Sequence, residues 1–447
     1  MLQKSFNVII NQKISNFKKS IIVDADKSTS IRILLIGAIS EGISSVENIL
    51  ESDDVLSTIK CLRKLGVKIV KRNNLHYIYG KGLGSLVAKK NISLDFGNSG
   101  TLARLLMGLL STNPDINLSL TGDNSLKKRS MKKLILLMSE FGATFKPSKK
   151  FNFPLRIISS KFPIGIDYES GVSAQLKSAV ILAGLNSFGV TKILEKKKSR
   201  DHTENMLLKN NEIIKIINKK KKLIIINGKR KLNSLKISVP GDPSSGAFFS
   251  ALTILKKNSS MKITNIGLNP TRIGFYKLLK KHGAKINFKN IKRSNNELYG
   301  DIHLKYSKLK PIKASKDYYV NSTDEYPILF VIAALTKGVS KFKGISDLVN
   351  KESNRILEMQ KILGQVGIKS VSTKDELKIF GKEFIDPSKK KIIVKNLGDH
   401  RICMSAFVLS VLTGVKAKIN SFETVFTSSP SFLKIMKNIG AKFEIQK

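Results

Sequence analysis

The chain has 447 residues, of which 41% are hydrophobic, and its formal net charge is +46. This length allows two domains with full cores, and no apolar run is long enough to span a membrane. The charge would ordinarily indicate nucleic-acid binding. However, the basic residues are mostly lysines spread along the chain, and no nucleic-acid-binding motif is present, so we expect no such partner.

The first 23 residues contain two short apolar runs, 6–10 and 19–23, which predict strands. They lack the uninterrupted apolar core and cleavage site of a signal peptide, so we expect a cytoplasmic protein. Cys61 and Cys403 lie in predicted helices without the spacing of a disulfide framework or a metal site. We therefore expect two core thiols and no metal.

The first polar cluster, residues 24–32, opens a predicted helix that continues to Ile39. Lys27 and Ser28 would lie at its N-terminus, with Arg32 one turn further on the same side. Helix N-termini attract anions, and a guanidinium binds phosphate in a bidentate manner. The segment therefore predicts a phosphate-binding site, with a solvated surface cap as the alternative.

A glycine-rich turn, residues 97–100, precedes a second apolar helix. Gly97 and Gly100 allow a ligand to approach the backbone closely, and Asn98 supplies a capping oxygen. Arg104 lies one turn into the helix, beside its positive end. This pattern also predicts anion binding, although an ordinary helix cap has the same sequence.

The same arrangement recurs along the chain, because further polar clusters open apolar helices at residues 171–175, 241–245, 322–325 and 398–401. About 40 residues after each cluster, a helix ends before a residue suited to a left-handed cap. These residues are Gly66, Gly142, Asn211, Gly283, Gly367 and Gly440. The chain therefore contains six repeats of about 70 to 85 residues.

Half of the twelve arginines lie in or close to polar segments: the clusters at 24–32, 97–100 and 398–401, the loop 121–131, and the segments around residues 200 and 355. They are Arg32, Arg104, Arg129, Arg200, Arg355 and Arg401. A chain that otherwise uses lysine keeps arginine where a planar, bidentate donor is needed. The arginines therefore indicate anionic ligands.

Three segments, residues 26–32, 94–101 and 399–401, resemble the signatures of the 5-enolpyruvylshikimate-3-phosphate synthase family. The resemblance covers essentially the whole chain. It implies an α/β, two-domain enolpyruvyl transferase fold of six βαβαββ units, three per domain, with helix N-termini facing an interdomain cleft. The implied domains are residues 24–240, on the shikimate 3-phosphate side, and residues 1–23 plus 241–447, with the catalytic aspartate and the arginines for phosphoenolpyruvate.

The resemblance also implies the reaction: transfer of the enolpyruvyl group of phosphoenolpyruvate to the 5-hydroxyl of shikimate 3-phosphate, in chorismate and aromatic amino acid biosynthesis. Asp324 would accept the hydroxyl proton, and Lys27 or Glu352 would protonate the substrate carbon. The residues implied to bind shikimate 3-phosphate are Lys27, Ser28, Arg32, Ser173, Ala174, Gln175, Arg200, Asp324 and Lys351. Those implied to bind phosphoenolpyruvate are Lys27, Asn98, Gly100, Arg129, Gln175, Arg355, His400 and Arg401. We expect no cofactor, and a monomer with small-molecule partners only.

The spacing of Glu352 and Arg355 predicts that they share a helical face, although an exposed ion pair would have the same spacing. Three positions depart from the family pattern. Asn354 stands where the family usually has aspartate, Thr427 where some relatives have lysine, and Ser429 where most have phenylalanine. These departures leave the tuning of the nearby cations open, and one contact that closes the site is expected to be missing.

Two rival functions remain at this point. The first is enolpyruvyl transfer to UDP-N-acetylglucosamine on the same fold. It is disfavoured because loop 121–131 lacks the reactive cysteine usual in that branch, and because of Arg200 and the cluster at 173–175. The second is a basic protein that binds or processes RNA.

Overall fold

The structure is a computed structural model that describes residues 5–89, 91–218 and 221–447. The chain divides into two compact units. The central unit consists of Ala25–Val239 and Arg293–Glu297. The terminal unit consists of the chain up to Asp24 together with Pro240–Lys292 and Leu298–Lys447. Each unit has its own hydrophobic core.

The division differs from the expected domain boundaries at a few residues. Asp24 belongs to the terminal unit because its Oδ2 accepts hydrogen bonds from the Ser429 hydroxyl and the Ser431 N–H, both at 3.0 Å. The turn 293–297 belongs to the central unit, where Glu297 Oε1 lies 2.8 Å from His202 Nδ1. These long-range contacts have no signal in the local sequence.

The α-helices described in the central unit are α1 (Lys27–Ile39), α2 (Asp53–Lys64), α3 (Gly100–Thr112), α4 (Asn124–Lys127), α5 (Lys132–Glu140), α6 (Ala174–Leu185) and α7 (His202–Leu207). Those described in the terminal unit are α8 (Pro243–Leu255), α9 (Gly274–Lys281), α10 (Asp317–Ser322), α11 (Tyr326–Ala334), α12 (Arg355–Gln365), α13 (His400–Thr413) and α14 (Phe432–Ile439). Short 3-10 helices span Thr323–Glu325, Ser346–Asn350 and Phe422–Thr427.

The strands in the described residues form six four-stranded sheets, three in each unit. The strands of each sheet are given in their order across the sheet. The first sheet of the central unit has Lys236–Ser238, Glu41–Glu47, Leu75–Lys81 and Lys68–Arg72, and the second has Ser93–Asp95, Asn117–Thr121, Leu155–Ile158 and Thr144–Lys146. The third has Asp167–Ser170, Val190–Glu195, Lys222–Asn227 and Ile214–Asn218. The first sheet of the terminal unit has Lys285–Ser294, Glu297–Lys305, Ser260–Gly267 and Lys18–Ile21, and the ends of its first two strands reach into the turn 293–297 of the central unit. The second sheet of the terminal unit has Lys313–Ala314, Gly338–Lys343, Glu376–Gly381 and Ser370–Ser372. Its third sheet has Lys391–Val394, Lys416–Ile419, Asn7–Ile10 and Glu444–Gln446.

Every sheet contains one parallel strand pair, and a third strand pairs with it in antiparallel orientation. In four sheets, a crossover that contains α3, α6, α11 or α13 connects the two parallel strands, as parallel pairing requires. In the other two sheets, the second parallel strand comes from a distant part of the chain. Lys18–Ile21 pairs with Ser260–Gly267, and Lys236–Ser238 pairs with Glu41–Glu47.

Six helices form the centres of the two units. In the central unit α3 packs against both α1 and α6, and in the terminal unit α8, α11 and α13 pack against one another. Almost every residue of these helices is buried, because their sequences are apolar on all sides. The polar clusters lie at or just before their first turns. Buried helices therefore fix the positions of the candidate site residues.

The glycines that mark the repeats behave as predicted. All five, Gly66, Gly142, Gly283, Gly367 and Gly440, have positive φ angles between +74° and +107°. Asn211 is the exception: it is not among the described residues with positive φ. In that repeat the helix α7 ends at Leu207, and the backbone N–H and side-chain Nδ2 of Asn210 both donate to the Leu207 carbonyl. The prediction for Asn211 was wrong.

The two cysteines are buried free thiols, as expected. Burial raises the pKa of Cys61 to about 12. Within the described ranges, no helix is long and apolar enough to cross a membrane, and no group of three or more potential metal-ligating side chains occurs.

Candidate active site

The N-terminus of α1 carries a lysine and an arginine, as the sequence predicts. Asp26 caps the helix by accepting the Thr29 N–H at 2.7 Å. The ammonium group of Lys27 lies 2.9 Å from Oδ2 of the buried Asp54, which the sequence analysis did not identify. Arg32 is buried and donates from Nη1 to the Ser28 carbonyl at 3.0 Å. Both cations are therefore held in fixed positions at the helix start.

Arg129 is anchored to the turn before α3. Its Nη2 donates to Asn98 Oδ1 at 2.7 Å and to the Ser125 hydroxyl at 3.1 Å. The Asn98 amide in turn donates to Asp123 at 2.6 Å. The hydroxyl of Ser99 caps α3 by accepting the N–H of Leu102. The loop 121–131 and the glycine-rich turn thus form one cluster, which the sequence analysis treated as two motifs.

Gly100 and Gln175 belong to the same cluster. Arg104 Nη1 donates to Gln175 Oε1 at 2.9 Å, and Gln175 Nε2 donates to the Thr101 hydroxyl at 3.0 Å. A Cβ atom on Gly100 would lie 2.7 Å from Arg104 Nη1 and 3.1 Å from Arg129 Nη1. Any larger residue would therefore displace guanidinium groups, which explains glycine here without any special backbone angle.

The start of α6 and the segment before α7 carry the remaining central-unit candidates. Ser173 caps α6 by accepting the Leu176 N–H at 3.4 Å, and Ala174 is the first helical residue. Arg200 is half-buried and lies two residues before α7 begins at His202.

In the terminal unit, Arg355 is the centre of an ion cluster. Its guanidinium is 1% exposed and donates to both carboxylate oxygens of Asp399, from Nε at 2.9 Å and from Nη2 at 3.3 Å. Nη2 also donates to Glu352 at 2.6 Å. Burial alone would lower the pKa of Arg355, but Asp399 and Glu352 raise it above its ordinary value. The group therefore stays cationic.

The structure corrects the expected placement of Glu352. The helix α12 begins only at Arg355, because Asn354 caps it by accepting the Leu357 N–H at 3.1 Å. Glu352 therefore lies before the helix, and the ion pair forms across its start rather than along a helical face. Asn354 retains the capping function that an aspartate would have. Asp399 and Glu352 already orient Arg355, so this role does not depend on a carboxylate at position 354.

Asp324 lies in the 3-10 helix Thr323–Glu325, directly before α11. Its side chain is 27% exposed, and its Oδ1 lies 3.8 Å from Arg355 Nη1. The next residue, Glu325, is buried and accepts a short hydrogen bond from the Ser244 hydroxyl. The turn therefore directs one carboxylate into the core and leaves Asp324 accessible.

Lys351 pairs with Asp347 rather than with Glu352. The distance from Lys351 Nζ to Asp347 Oδ2 is 2.6 Å, and the buried Tyr319 donates its hydroxyl to the same oxygen at 2.9 Å. Sequence reasoning missed both partners, because nothing in their spacing distinguishes them from surface residues.

The first residues of α13 place His400 and Arg401 in the interior, 5% and 4% exposed. The Arg401 guanidinium lies over the Phe248 ring, 5.8 Å from its centroid. Among the described residues, its Nε and Nη1 are buried and have no hydrogen-bond partner. Asp399, which binds Arg355, also caps α13 through the Arg401 N–H at 3.0 Å.

The departures at Thr427 and Ser429 have local partners. The Thr427 hydroxyl donates to the Thr424 carbonyl at 2.8 Å, within the 3-10 helix Phe422–Thr427. Ser429 is buried and donates to Asp24. The expected loss of one contact that closes the site stays a prediction.

The predicted site residues therefore gather at buried helix starts within each unit. Two units of three repeated sheets, with arginines and an accessible carboxylate at these helix starts, have the fold of an enolpyruvyl transferase. The sequence model of the family described as EPSP synthase (3-phosphoshikimate 1-carboxyvinyltransferase) matches residues 11–436. The chain belongs to this family.

Individual relatives agree with this assignment. The 3-phosphoshikimate 1-carboxyvinyltransferase of Zymomonas mobilis is 36% identical, over 98% of this chain and 97% of the relative. The protein of the same name from Bacillus subtilis is also 36% identical, over 96% of this chain and 99% of the relative. The solved structure of EPSP synthase from Acinetobacter baumannii is 34% identical and superimposes with a TM-score of 0.85, covering 99% of this chain and 100% of that one.

Proposed function

We propose that this chain transfers the enolpyruvyl group of phosphoenolpyruvate to the 5-hydroxyl of shikimate 3-phosphate, giving 5-enolpyruvylshikimate 3-phosphate and inorganic phosphate. The observation that carries the proposal is the Arg401 guanidinium, which is 4% exposed and has two nitrogens without a partner in the described structure. An uncompensated buried charge is costly, so such a group is suited to an anionic ligand. Membership of the EPSP synthase family supports phosphoenolpyruvate as that ligand.

Phosphoenolpyruvate has a carboxylate and a phosphate, and each needs a cation. In this proposal Arg401 and Arg355 bind the carboxylate, and Arg129 and Lys27 bind the phosphate. The other groups proposed to contact it are Asn98, Gly100, Gln175 and His400. Most of these cations are already fixed by carboxylate or amide partners, so little reorganisation is needed when charge develops.

Shikimate 3-phosphate is proposed to bind mainly through hydroxyl, amide and guanidinium groups of the central unit. These are Ser28, Arg32, Ser173, Ala174, Gln175 and Arg200, together with Lys27. The free N–H groups at the start of α6 and the dipole of that helix favour a phosphate. From the terminal unit, Lys351 and Asp324 are proposed to contact the shikimate ring.

The proposed chemistry is addition followed by elimination. Asp324 accepts the proton of the 5-hydroxyl as its oxygen attacks C2 of phosphoenolpyruvate. Lys27 or Glu352 gives a proton to C3, which becomes a methyl group. In the tetrahedral intermediate, C2 carries both the phosphate and the new ether oxygen. The methyl group then returns a proton, the bond from C2 to the phosphate oxygen breaks, and inorganic phosphate leaves.

Asp324 is suited to be the base because of its position. It is accessible, and the Arg355 guanidinium 3.8 Å away favours its ionised form. Its role therefore depends on its placement beside the hydroxyl rather than on high intrinsic basicity.

Turnover in deuterium oxide tests this mechanism. Because C3 passes through a methyl group, the product's methylene should gain deuterium, which mass spectrometry would detect. A product free of deuterium after many turnovers would contradict addition and elimination. Cytoplasmic location, a monomeric state and independence from metals stay predictions. Size-exclusion chromatography and activity after chelation would check the last two.

A further inference from the structure

A second group of charged residues lies inside the central unit, apart from the residues proposed to bind the substrates. Lys177, in α6, is fully buried, and its Nζ lies 2.6 Å from Glu195 Oε1 and 2.7 Å from Glu204 Oε1. Both carboxylates are also fully buried. Lys222 lies 3.5 Å and 3.4 Å from the same two residues. These four residues, the lysine–glutamate cluster, contain two charges of each sign.

The lysine–glutamate cluster anchors the segment that carries Arg200 at both of its ends. Glu195 ends the strand Val190–Glu195, and its Oε1 accepts the N–H and the hydroxyl of Ser199 at 2.9 Å and 2.8 Å. Ser199 directly precedes Arg200, and Glu204 lies in α7, four residues after Arg200. Lys177 binds both glutamates, so it anchors this segment on both sides of the arginine.

The cluster is also connected to the start of α6. The N–H of Lys177 donates to the carbonyl of Ser173 at 3.2 Å, and Gln175 lies between them. The next residue, Ser178, has its hydroxyl 2.8 Å from that of Thr203, which precedes Glu204. The helix start and the Arg200 segment are thus joined by the same few residues.

Arg32 is part of this connection. Its Nε donates to the Thr203 hydroxyl at 3.0 Å, and its Nη2 donates to the Ser178 hydroxyl at 3.3 Å. Ser178 and Thr203, which are the sequence neighbours of Lys177 and Glu204, therefore connect three groups that come from different parts of the chain. These are Arg32 from α1, the cap of α6, and Arg200.

The cluster keeps its charges. Burial alone would lower the pKa of Lys177, but Glu204 and Glu195 raise it above its ordinary value. Burial alone would raise the pKa of Glu195, but Lys177 and the bonds from Ser199 lower it. Buried ion pairs are often no better for stability than apolar residues of similar volume, whereas in some proteins they specify one arrangement of the surrounding groups.

We propose that Lys177, Glu195 and Glu204 are positioning residues for shikimate 3-phosphate: they fix Arg200 and the start of α6 in the geometry that binds this substrate. Their side chains are buried, so they act through the groups that they hold and do not touch the substrate. The inference rests on the proposed function, and it adds residues to which the family resemblance gave no role.

A double variant, Lys177→Met with Glu195→Gln, removes one charge of each sign and so leaves no unbalanced buried charge. We expect the dissociation constant and the KM of shikimate 3-phosphate to rise about tenfold or more, because small displacements of binding groups are costly. The KM of phosphoenolpyruvate at saturating shikimate 3-phosphate should rise much less, because Gln175 is the one residue at the start of α6 that is also proposed to bind phosphoenolpyruvate. Lys196→Met, which removes an exposed ion pair with Glu169 in the same segment, is the matched control and should change neither.

Calorimetric titration with shikimate 3-phosphate and steady-state kinetics provide the two measurements. If the wild type binds but the double variant binds equally well, the inference is overturned. It is also overturned if both KM values rise together as the protein loses thermal stability, since that is the result of a merely structural role. If the wild type itself does not bind shikimate 3-phosphate, the proposed function fails instead.

Ser199→Ala gives a second test should the double variant not fold, because it removes only one hydroxyl bond to Glu195. We expect about a threefold weaker binding of shikimate 3-phosphate, with the KM of phosphoenolpyruvate unchanged. Unchanged binding in this variant would overturn the inference.

Discussion

A single carboxylate contacts two of the buried arginines of the terminal unit. Asp399 binds the Arg355 guanidinium through both oxygens and also accepts the Arg401 N–H at the start of α13. The two arginines nevertheless differ, because Arg355 also pairs with Glu352, whereas Arg401 has two nitrogens without a partner in the described part of the chain. Arg401 is therefore the residue whose role is most easily separated from stability.

Arg401→Met should separate function from stability. Removing a buried cation with two nitrogens that are unbonded within the described residues should stabilise the protein by about 1–2 kcal/mol, because methionine fills a similar volume beside Phe248. The same change removes charge-assisted hydrogen bonds to the substrate, so kcat/KM for phosphoenolpyruvate should fall by about 100-fold or more. Thermal unfolding and steady-state kinetics measure the two effects.

Arg272→Met is the matched control. Arg272 is equally buried in the same unit, but it donates to Asp242 at 2.8 Å and to Ser244 at 3.0 Å. Its removal leaves the buried Asp242 carboxylate without this cation and should lower the free energy of unfolding by about 3–5 kcal/mol. If Arg401→Met destabilises the protein as much as the control does, Arg401 is structural and the proposed anion site is wrong.

Asp24 gives a pH-dependent prediction. Burial and the nearby Asp242 raise its pKa, although hydrogen bonds from Ser431 and Ser429 oppose this. The folded state then holds the proton more tightly than the unfolded chain. Protonation of Asp24 therefore stabilises the folded state. This stabilisation is complete below the pKa of about 3.9 in the unfolded chain, and it is lost as the pH rises through the pKa in the folded state.

Asp24→Asn should therefore raise the unfolding temperature by about 1–3 °C near pH 7, since asparagine keeps the acceptor oxygen but carries no charge. The gain should shrink as the pH falls towards about 4. Scanning calorimetry at several pH values, with the exposed Asp167→Asn as control, checks this. A gain that does not depend on pH would contradict it.

At the scale of elements, the helix starts were predictable because their capping groups are local. Asp26, Ser99, Ser173, Asp242 and Asp399 each accept an N–H from the first turn that follows, within three residues. Polar clusters before apolar runs therefore sufficed to find them.

The partners of the functional cations were not predictable. Lys27 and Asp54 are 27 residues apart, and Arg355 and Asp399 are 44 residues apart. Pairing of strands has the same limit, since Asn7–Ile10 lies between Lys416–Ile419 and Glu444–Gln446. Such contacts depend on how repeats fold together, and no local pattern encodes them. The resemblance identified the groups that bind the substrates but not the residues that hold them.

The start of α12 tests the role of its cap. Asn354→Ala removes the acceptor for the Leu357 N–H and should cost about 1 kcal/mol. Because Glu352 and Arg355 lie on either side of the cap, kcat should fall about threefold to tenfold. Asn354→Asp keeps the acceptor and adds a favourable charge at the helix N-terminus, so both quantities should stay close to those of the wild type. Equal stability and activity in all three proteins would show that the cap is not needed.

At the scale of the whole molecule, the net charge of +46 should act on the approach of substrates. Both proposed substrates are anions, and a positive field raises their local concentration. Raising the ionic strength from about 25 to about 250 mM should therefore lower kcat/KM several-fold and leave kcat at saturation nearly unchanged. Potassium chloride and potassium acetate should act equally, because screening depends on ionic strength rather than on the anion. A flat kcat/KM, or a strong difference between the two salts, would contradict the steering account.

Release of inorganic phosphate from phosphoenolpyruvate by the purified protein tests the proposed reaction, with either shikimate 3-phosphate or UDP-N-acetylglucosamine as acceptor. Asp324→Asn, which preserves size and removes the base, is the matched variant. We predict release with shikimate 3-phosphate alone, reduced about 100-fold or more in the variant while its unfolding temperature stays close to that of the wild type. Release only with the nucleotide sugar would contradict the proposed acceptor, and equal rates in wild type and variant would contradict the proposed role of Asp324 as the base.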